Sequence, residues 1–212
     1  MRLLILGATG KIGGLALQRA LADGHDVVAL VRDAARLESS ERLTILTGNI
    51  ADASAILGAL EGASAVIAAV GPRSNTMEDE LALENGMRNL TVAMEAAGVD
   101  RLIALSGAAV AVAGDTKPLL DRLASALVRR FARHVVGAKQ REYEVVSATG
   151  LDWTALRPPL VIDGPPQGYR LDERLKFGAR VSRSDVADAL VDQLADGRFR
   201  QAAPFVLPKE RS

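Results

Sequence analysis

Short apolar runs alternate with longer segments of helical periodicity along the chain. The runs have the length and composition of β-strands and cover residues 3–6, 27–31, 43–47, 65–70, 102–106, 153–156 and 205–207. The run at 65–70 is apolar throughout, as is typical of strands that are buried on both faces of a sheet. The pattern predicts an α/β protein with a doubly wound parallel sheet and helices on both of its faces.

Caps and glycines mark the ends of the predicted helices. The helices are expected at residues 12–22, 53–60, 78–97 and 186–195. Asp52 is a good N-cap for the second of them, and Gly24, Gly62 and Gly98 stand where the first three helices should end. Strands and helices therefore alternate in the order that parallel strands with crossover helices require.

Two regions depart from this alternation. The periodicity of residues 117–149 predicts one long helix or two helices, with a possible kink at Gly137. Residues 158–181 are rich in proline and glycine, too loop-like for the main sheet, and long enough to cover a substrate pocket. With no repeat or linker in view, we expect residues 1–212 to form a single domain.

Composition excludes several classes of function. Lys plus Arg equals Asp plus Glu at 26 each, so no net charge favours nucleic acid or an acidic membrane surface. The chain has no cysteine, and its two histidines lack carboxylates at metal-ligand spacing, so we predict no metal site. It also lacks a signal peptide's layout and a membrane-spanning apolar run. We expect a soluble cytoplasmic protein that is a monomer or a homodimer.

The segment GATGKIGG leads from the first strand into the first helix. Gly7 permits a tight turn, Gly10 permits the close approach of a pyrophosphate, and Gly13 permits packing of the helix on the strand. The proposed anion-binding segment consists of Gly7, Thr9, Gly10, Lys11, Ile12 and Gly13. Its spacing is G-x-x-G-x-x-G rather than G-x-G-x-x-G, and the alternative is a purely structural turn. The strand before it and the helix after it favour a Rossmann-like dinucleotide site.

The residues that follow the second strand are expected to decide between NAD(H) and NADP(H). Arg32 stands where an arginine accommodates the 2′-phosphate of NADP(H), and Arg36 follows one turn later. In the alternative, Asp33 binds the ribose of NAD(H), although Asp33 is also an ordinary N-cap for the residues after it. We predict NADP(H).

The carboxyl ends of the next two strands are expected at the same edge of the sheet. Asn49 and Ile50 follow the third strand, and Ala69, Val70 and Gly71 close the fourth. Asn49 could hydrogen-bond the adenine edge, but an asparagine at a strand end is as often only a turn former. We assign all five residues to the cofactor site.

Several motifs in order resemble one known family. GATGKIGG, LVRD, GNI, AAVG, RLIALSG, GLDWTALRPP and VSRSDVADAL are similar to those of the atypical short-chain dehydrogenase/reductases. The closest likeness is to the small NAD(P)-binding group that includes NmrA-like proteins and biliverdin-IXβ reductase, also called flavin reductase. The resemblance implies strand order 3-2-1-4-5-6 with a further strand, and hydride transfer from NAD(P)H to an aromatic or carbonyl substrate.

The chain departs from this superfamily at its proton donor. The superfamily commonly carries Tyr-x-x-x-Lys, in which the lysine lowers the pKa of the tyrosine. Aligning Lys139 with the family lysine places Val135 at the tyrosine position. The resemblance implies that Lys139 reaches the nicotinamide ribose. Tyr143, one helical turn later, could offer a phenol to the pocket, and the alternative is a half-buried tyrosine with no catalytic role.

Three further residues come from matching family segments. Ser106 matches the family serine and could hydrogen-bond a substrate carbonyl or the cofactor, or could simply turn the chain. Pro158 and Ile162 lie in a segment that resembles the lining of the nicotinamide. The predicted catalytic residues are Ser106, Lys139 and Tyr143, and the first two are also assigned to the cofactor.

The missing tyrosine argues against simple alcohol dehydrogenation. When the acceptor is a flavin, a quinone or a tetrapyrrole, water can supply the proton and the protein mainly binds and orients. The first hypothesis is therefore an NADPH-dependent reductase of a small planar acceptor or a carbonyl. The second is a non-catalytic NADP(H) sensor of the NmrA-like type that acts through a protein partner. An epimerase, lyase or isomerase is a weaker third.

Overall fold

The computed structural model describes residues 1–115, 132–176 and 178–210. Six strands form one parallel sheet: β1 (Arg2–Leu6), β2 (Asp26–Val31), β3 (Leu43–Thr47), β4 (Ala65–Ala68), β5 (Arg101–Leu105) and β6 (Asp152–Leu156). Their order is β3-β2-β1-β4-β5-β6, and every pair of neighbours is parallel. The predicted doubly wound sheet and the strand order implied by the family resemblance are both confirmed.

Helices cover both faces of this sheet. They are α1 (Lys11–Ala22), α2 (Ala53–Leu60), α3 (Met77–Ala97), α4 (Arg133–Ser147) and α5 (Arg183–Asp192), with a short 3-10 turn at Ala34–Arg36. Leu4 and Leu6 of β1 pack with α2, α3 and α4, whereas Leu3 and Ile5 pack with α1 and α5. Successive side chains of a strand point to opposite faces, so the continuous apolar runs supply two cores at once.

The predicted caps define the helix ends. The Asp52 side chain accepts hydrogen bonds from the backbone N–H groups of Ser54 and Ala55, and Gly98 ends α3 in the left-handed conformation with φ +65°. Gly137 lies inside the continuous α4. A Cβ at Gly137 would stand 2.6 Å from a carboxylate oxygen of Glu80, so this glycine admits the Glu80 carboxylate, and we assign no kink to it.

The predicted long helical stretch is described only in part. The observed α4 covers its second half, and residues 117–131 of the stretch lie outside the described residues. Among the described residues, no helix is both long and apolar enough to cross a membrane.

Residues 158–181 hold more regular structure than the sequence indicates. They contain β7 (Leu160–Ile162), β8 (Tyr169–Asp172) and the first residues of β9 (Arg180–Ser182), and β7 pairs with β9. The predicted last strand is β10 (Phe205–Pro208), which pairs antiparallel with β8 and touches the main sheet through a single bridge from Phe205 to Arg157. The further strand implied by the resemblance therefore forms a separate two-stranded sheet.

Candidate functional site

A cleft of about 490 Å³ lies at the carboxyl ends of β1 to β4. Nine of the residues predicted to bind the cofactor line it: Gly7, Thr9, Gly10, Arg32, Asn49, Ile50, Ala69, Val70 and Gly71. The carboxyl edge of an open α/β sheet is where such folds bind ligands, at the point where the strand order reverses. Here that point lies between β1 and β4.

The glycine bend has no room for a side chain at Gly7 or at Gly13. Gly7 has φ +83°, and a Cβ on it would stand 2.3 Å from the carbonyl oxygen of Ala69. A Cβ on Gly13 would stand 2.1 Å from the carbonyl oxygen of Gly7, which places α1 directly against the bend. Gly10 N–H donates to that same oxygen at 2.9 Å. The turn and the helix packing that the spacing predicts are therefore present.

The first turn of α1 faces the bend without a side-chain cap. The N-cap is Gly10, which has no side chain to accept a hydrogen bond from the first N–H groups of the helix. Lys11 is exposed at the first helical position, Ile12 packs against the core, and Gly13 is buried. Uncapped N–H groups and the positive end of a helix dipole suit an anion.

Two arginines border the cleft beside this helix start. Arg32 follows β2 and lines the cleft, and Arg36 also lines it while donating to the carbonyl oxygen of Thr9 at 3.2 Å. Asp33 is used differently, because its carboxylate accepts from the N–H of Ala35 at 3.1 Å and caps the 3-10 turn. We call Gly7, Gly10, Arg32 and Arg36 the arginine end of the cleft.

The wall from β3 and β4 includes one cation that the sequence does not reveal. The side-chain oxygen of Asn49 accepts from the N–H of Ala51 at 3.2 Å, so this residue forms the turn considered as its alternative role while lining the cleft. Arg73 also lines the cleft, 3.9 Å from the carboxylate of Asp79. Arg73 follows the predicted AAVG motif by two residues, and that proximity is the only signal for it.

Lys139 lies beyond the β4 wall, at what we call the lysine end, which consists of Val70, Ser106 and Lys139. Its ammonium donates to the carbonyl oxygens of Val70 and Leu105, each at 2.5 Å, and to the Glu142 carboxylate at 2.6 Å. An ammonium has three N–H donors, so these acceptors use all of them. The structure thus brings Lys139 to the strand ends but gives it local partners there.

Ser106 directly follows β5 and is 7% exposed. Its Oγ has no hydrogen-bond partner within the described part of the chain, although its N–H donates to the carbonyl oxygen of Leu156 at 2.8 Å. Buried hydroxyls normally have partners, so an unpaired one at this edge is suited to a ligand. Pro158 is buried nearby, and its carbonyl accepts from the N–H of Ala108 at 3.0 Å.

Three other predicted features stand further from these groups. Ile162 ends β7, opposite Ser182 of β9. Val135 lies in the first turn of α4 and presents no hydroxyl. The ring of Tyr143 packs edge-on against Trp153, with centroids 5.9 Å apart, and joins the core under α4. Trp153 is near the amino end of β6, so this geometry matches the half-buried alternative and lends no support to a proton-donor role for Tyr143.

A family model described as NAD(P)H-binding matches residues 7–197. This match confirms the NAD(P)-binding group predicted from the sequence motifs. It covers the glycine bend, the arginine end, the lysine end and all of the predicted site residues.

Three known proteins illustrate the range of the similarity. A 3-diazoavenalumate denitrifying reductase from Streptomyces is 34% identical over 57% of this chain and 42% of its own length. The photosystem II assembly factor Ycf39 from Synechocystis is 33% identical over 50% of this chain and 33% of its own length. The chain therefore spans less than half of the length of either relative. The structure of the anaerobillin reductase ChuY from Escherichia coli O157:H7 is 21% identical, with a TM-score of 0.82, over 100% of this chain and 99% of that chain, which shows a shared fold.

Proposed function

The chain belongs to the NAD(P)H-binding family, and from this premise we propose that it is an NADPH-dependent oxidoreductase that transfers hydride to a small planar acceptor. The observation that carries the proposal is the arginine end of the cleft. There an uncapped helix start and two guanidiniums face one groove, while Asp33, the carboxylate considered as the alternative ribose contact, caps a turn.

The residues present fit a dinucleotide. The bend at Gly7 and Gly10 leaves the first N–H groups of α1 without a side-chain cap and so open to a pyrophosphate. Arg32 and Arg36 would hold the 2′-phosphate of NADPH, because guanidinium groups bind phosphate through paired, charge-assisted hydrogen bonds. Asn49 and Ile50 would border the adenine, and Val70 and Gly71 lead toward the lysine end.

The lysine end supports an acceptor that needs no dedicated acid. When bound, NADPH supplies a hydride. Val135 offers no phenol beside Lys139, and Lys139 already donates three hydrogen bonds. The unpaired hydroxyl of Ser106 would orient a carbonyl of the acceptor or of the cofactor. A flavin, a quinone or a tetrapyrrole-like molecule spreads the incoming charge over conjugated rings, so these residues need only bind and orient it.

The direct test is NADPH oxidation against a panel of flavins, quinones, tetrapyrroles and simple carbonyls. We expect turnover with at least one planar acceptor and background rates with aliphatic ketones. Aliphatic ketones turned over in preference to every planar acceptor would contradict the proposed substrate class. Background rates throughout, with tight NADPH binding, would contradict the enzyme proposal itself.

The second candidate is a non-catalytic NADP(H) sensor that acts through a protein partner. The valine at position 135 favours it, because a sensor needs no proton donor. So does the similarity to Ycf39, which is described as an assembly factor. The panel above separates the two candidates, since a sensor binds NADPH and oxidises none of it.

A further inference from the structure

Glu142 is a buried carboxylate on α4 that the proposed function does not yet use. Its side chain is 1% exposed, and one oxygen, Oε2, accepts from the ammonium of Lys139 at 2.6 Å. The other oxygen, Oε1, has no hydrogen-bond partner in the part of the chain that the structure describes. Burial raises the pKa of this carboxyl, and the positive charge of Lys139 acts in the opposite direction.

The position of Lys139 depends on three acceptors from three elements. The two carbonyl oxygens belong to Val70, after β4, and to Leu105, at the end of β5. Main-chain carbonyls hold the ammonium at the sheet edge but carry no net charge, so the Glu142 carboxylate is the only ionic partner among the three. Val70 also lines the cleft, which places this charge pair directly behind the cleft wall.

We propose that Glu142 is a positioning residue that holds Lys139 at the strand ends and cancels its charge behind the cleft wall, at the lysine end. This inference rests on the proposed function, because it assigns the lysine end to the nicotinamide. Stability alone is a weak reason for such a pair, since replacing a buried ion pair with apolar residues is often neutral or stabilising. An ion pair behind the wall of a ligand cleft can instead act on the charge of a bound ligand, which an apolar pair cannot do.

Charge cancellation has a measurable consequence. The nicotinamide ring is positively charged in NADP⁺ and neutral in NADPH, so an uncompensated ammonium disfavours the oxidised form. In Glu142→Gln we expect NADP⁺ affinity to fall about 10-fold and NADPH affinity to fall less than about 3-fold. Adenosine 2′,5′-bisphosphate lacks the nicotinamide half, and its affinity should change less than about 2-fold. Isothermal calorimetry with the three ligands measures all of these values.

A double-mutant cycle tests whether Glu142 acts through Lys139. If it does, Glu142→Gln has little further effect on NADP⁺ affinity once Lys139→Met has removed the ammonium. Equal losses in the two backgrounds would show that Glu142 acts independently of Lys139 and would overturn the inference. A loss of adenosine 2′,5′-bisphosphate binding as large as that of NADP⁺, in a variant that unfolds at the wild-type urea midpoint, would also overturn it, because the effect of Glu142 would then not be confined to the nicotinamide half.

A second variant covers the case in which Glu142→Gln does not fold. Glu142→Asp keeps the charge but shortens the side chain by one methylene, so the carboxylate no longer reaches the ammonium at 2.6 Å. It should weaken NADP⁺ more than adenosine 2′,5′-bisphosphate, and equal affinities to wild type for both would contradict the positioning role. Failure of the wild-type protein to bind adenosine 2′,5′-bisphosphate would instead refute the proposed function.

Discussion

The arginine end of the cleft and the lysine end behind its β4 wall are built in different ways. At the arginine end, the surfaces that would hold a ligand are main-chain groups of one short bend, together with two arginines that follow β2. At the lysine end, the Lys139 side chain from α4 meets the main-chain carbonyls of Val70 and Leu105, and the Ser106 hydroxyl lies after β5. The bend is local in sequence, whereas the lysine end is assembled from segments far apart in the chain.

Because of this difference, we expect substitutions at the two ends to have different effects. Close backbone packing leaves no space for additional atoms at Gly7, so substitutions of this glycine act on the fold itself. At and beside the lysine end, the Ser106 hydroxyl and one oxygen of Glu142 are buried and have no hydrogen-bond partner among the residues that the structure describes. Substitutions there should act on ligands more than on folding.

The largest difference in stability is expected when one methyl group is added in the glycine bend and another is added next to the lysine end. Gly7→Ala puts a Cβ 2.3 Å from the Ala69 carbonyl oxygen at a residue with φ +83°, and should lower the free energy of unfolding by about 3 kcal/mol or more. Gly107→Ala is the matched control, because no atom lies within 4 Å of its added Cβ, and it should change stability by less than about 0.5 kcal/mol. Urea unfolding measures both, and similar midpoints for the two variants would contradict the comparison.

The sequence predicted the backbone of the arginine end well, because the signals that specify it lie close together in the chain. Glycine spacing, helix caps and apolar runs report on backbone conformation within a few residues, and these signals placed the bend, Asp52 and Gly98 correctly. Arg32 lines the cleft, and its contact with a 2′-phosphate stays a prediction. The order of the six strands came from the family resemblance, since an apolar pattern does not say which strands are neighbours.

The contacts of the lysine end were less predictable, because no sequence pattern indicates them. The partners of Lys139 include two main-chain carbonyls, which any residue type provides. The position of Tyr143 depends on Trp153, which is ten residues away on a different element. Likewise β7, β8 and β9 are short and interrupted by proline and glycine, so pairing with distant partners decides their structure.

A change of charge at the arginine end should alter cofactor choice without altering the fold. Arg32 is exposed, so Arg32→Glu should leave stability nearly unchanged, weaken NADPH roughly 100-fold and change NADH affinity less than about 3-fold. The reason is that a 2′-phosphate would meet a carboxylate instead of a guanidinium. Fluorescence titration with both cofactors measures the ratio, and equal losses would show that the ribose lies elsewhere.

The competing assignment to Asp33 has its own control. Asp33→Asn keeps a side-chain oxygen that can cap the 3-10 turn at Ala35 but removes the charge. We expect its NADH and NADPH affinities to match those of the wild-type protein within about 2-fold. A selective loss of NADH affinity would favour the ribose contact that the structure does not support.

A smaller effect is expected at Ser106, where stability and turnover should change in opposite directions. Ser106→Ala removes a buried hydroxyl that has no partner among the described residues, so stability should stay constant or rise by up to about 1 kcal/mol. Turnover of the best planar acceptor should fall about 10-fold, because the ligand loses a hydrogen-bond partner. Thr154→Val is the control, since the Thr154 hydroxyl donates to the Phe199 carbonyl at 2.7 Å and its loss should cost about 1–2 kcal/mol. A stability loss of that size in Ser106→Ala would mean that the hydroxyl has a structural partner.

The smallest effect is expected at Tyr143, where the sequence offered a proton donor and the structure shows a packed ring. Tyr143→Phe keeps the edge-on contact with Trp153 and removes only the phenol oxygen. Turnover and its pH dependence should therefore match wild type within about 2-fold, and the free energy of unfolding should change by less than about 0.5 kcal/mol. Steady-state rates across pH 5 to 9 provide the measurement. A loss of turnover of about 100-fold or more, of the order that a general acid contributes, would place the phenol in the reaction and return the lysine end to the tyrosine chemistry of the wider superfamily.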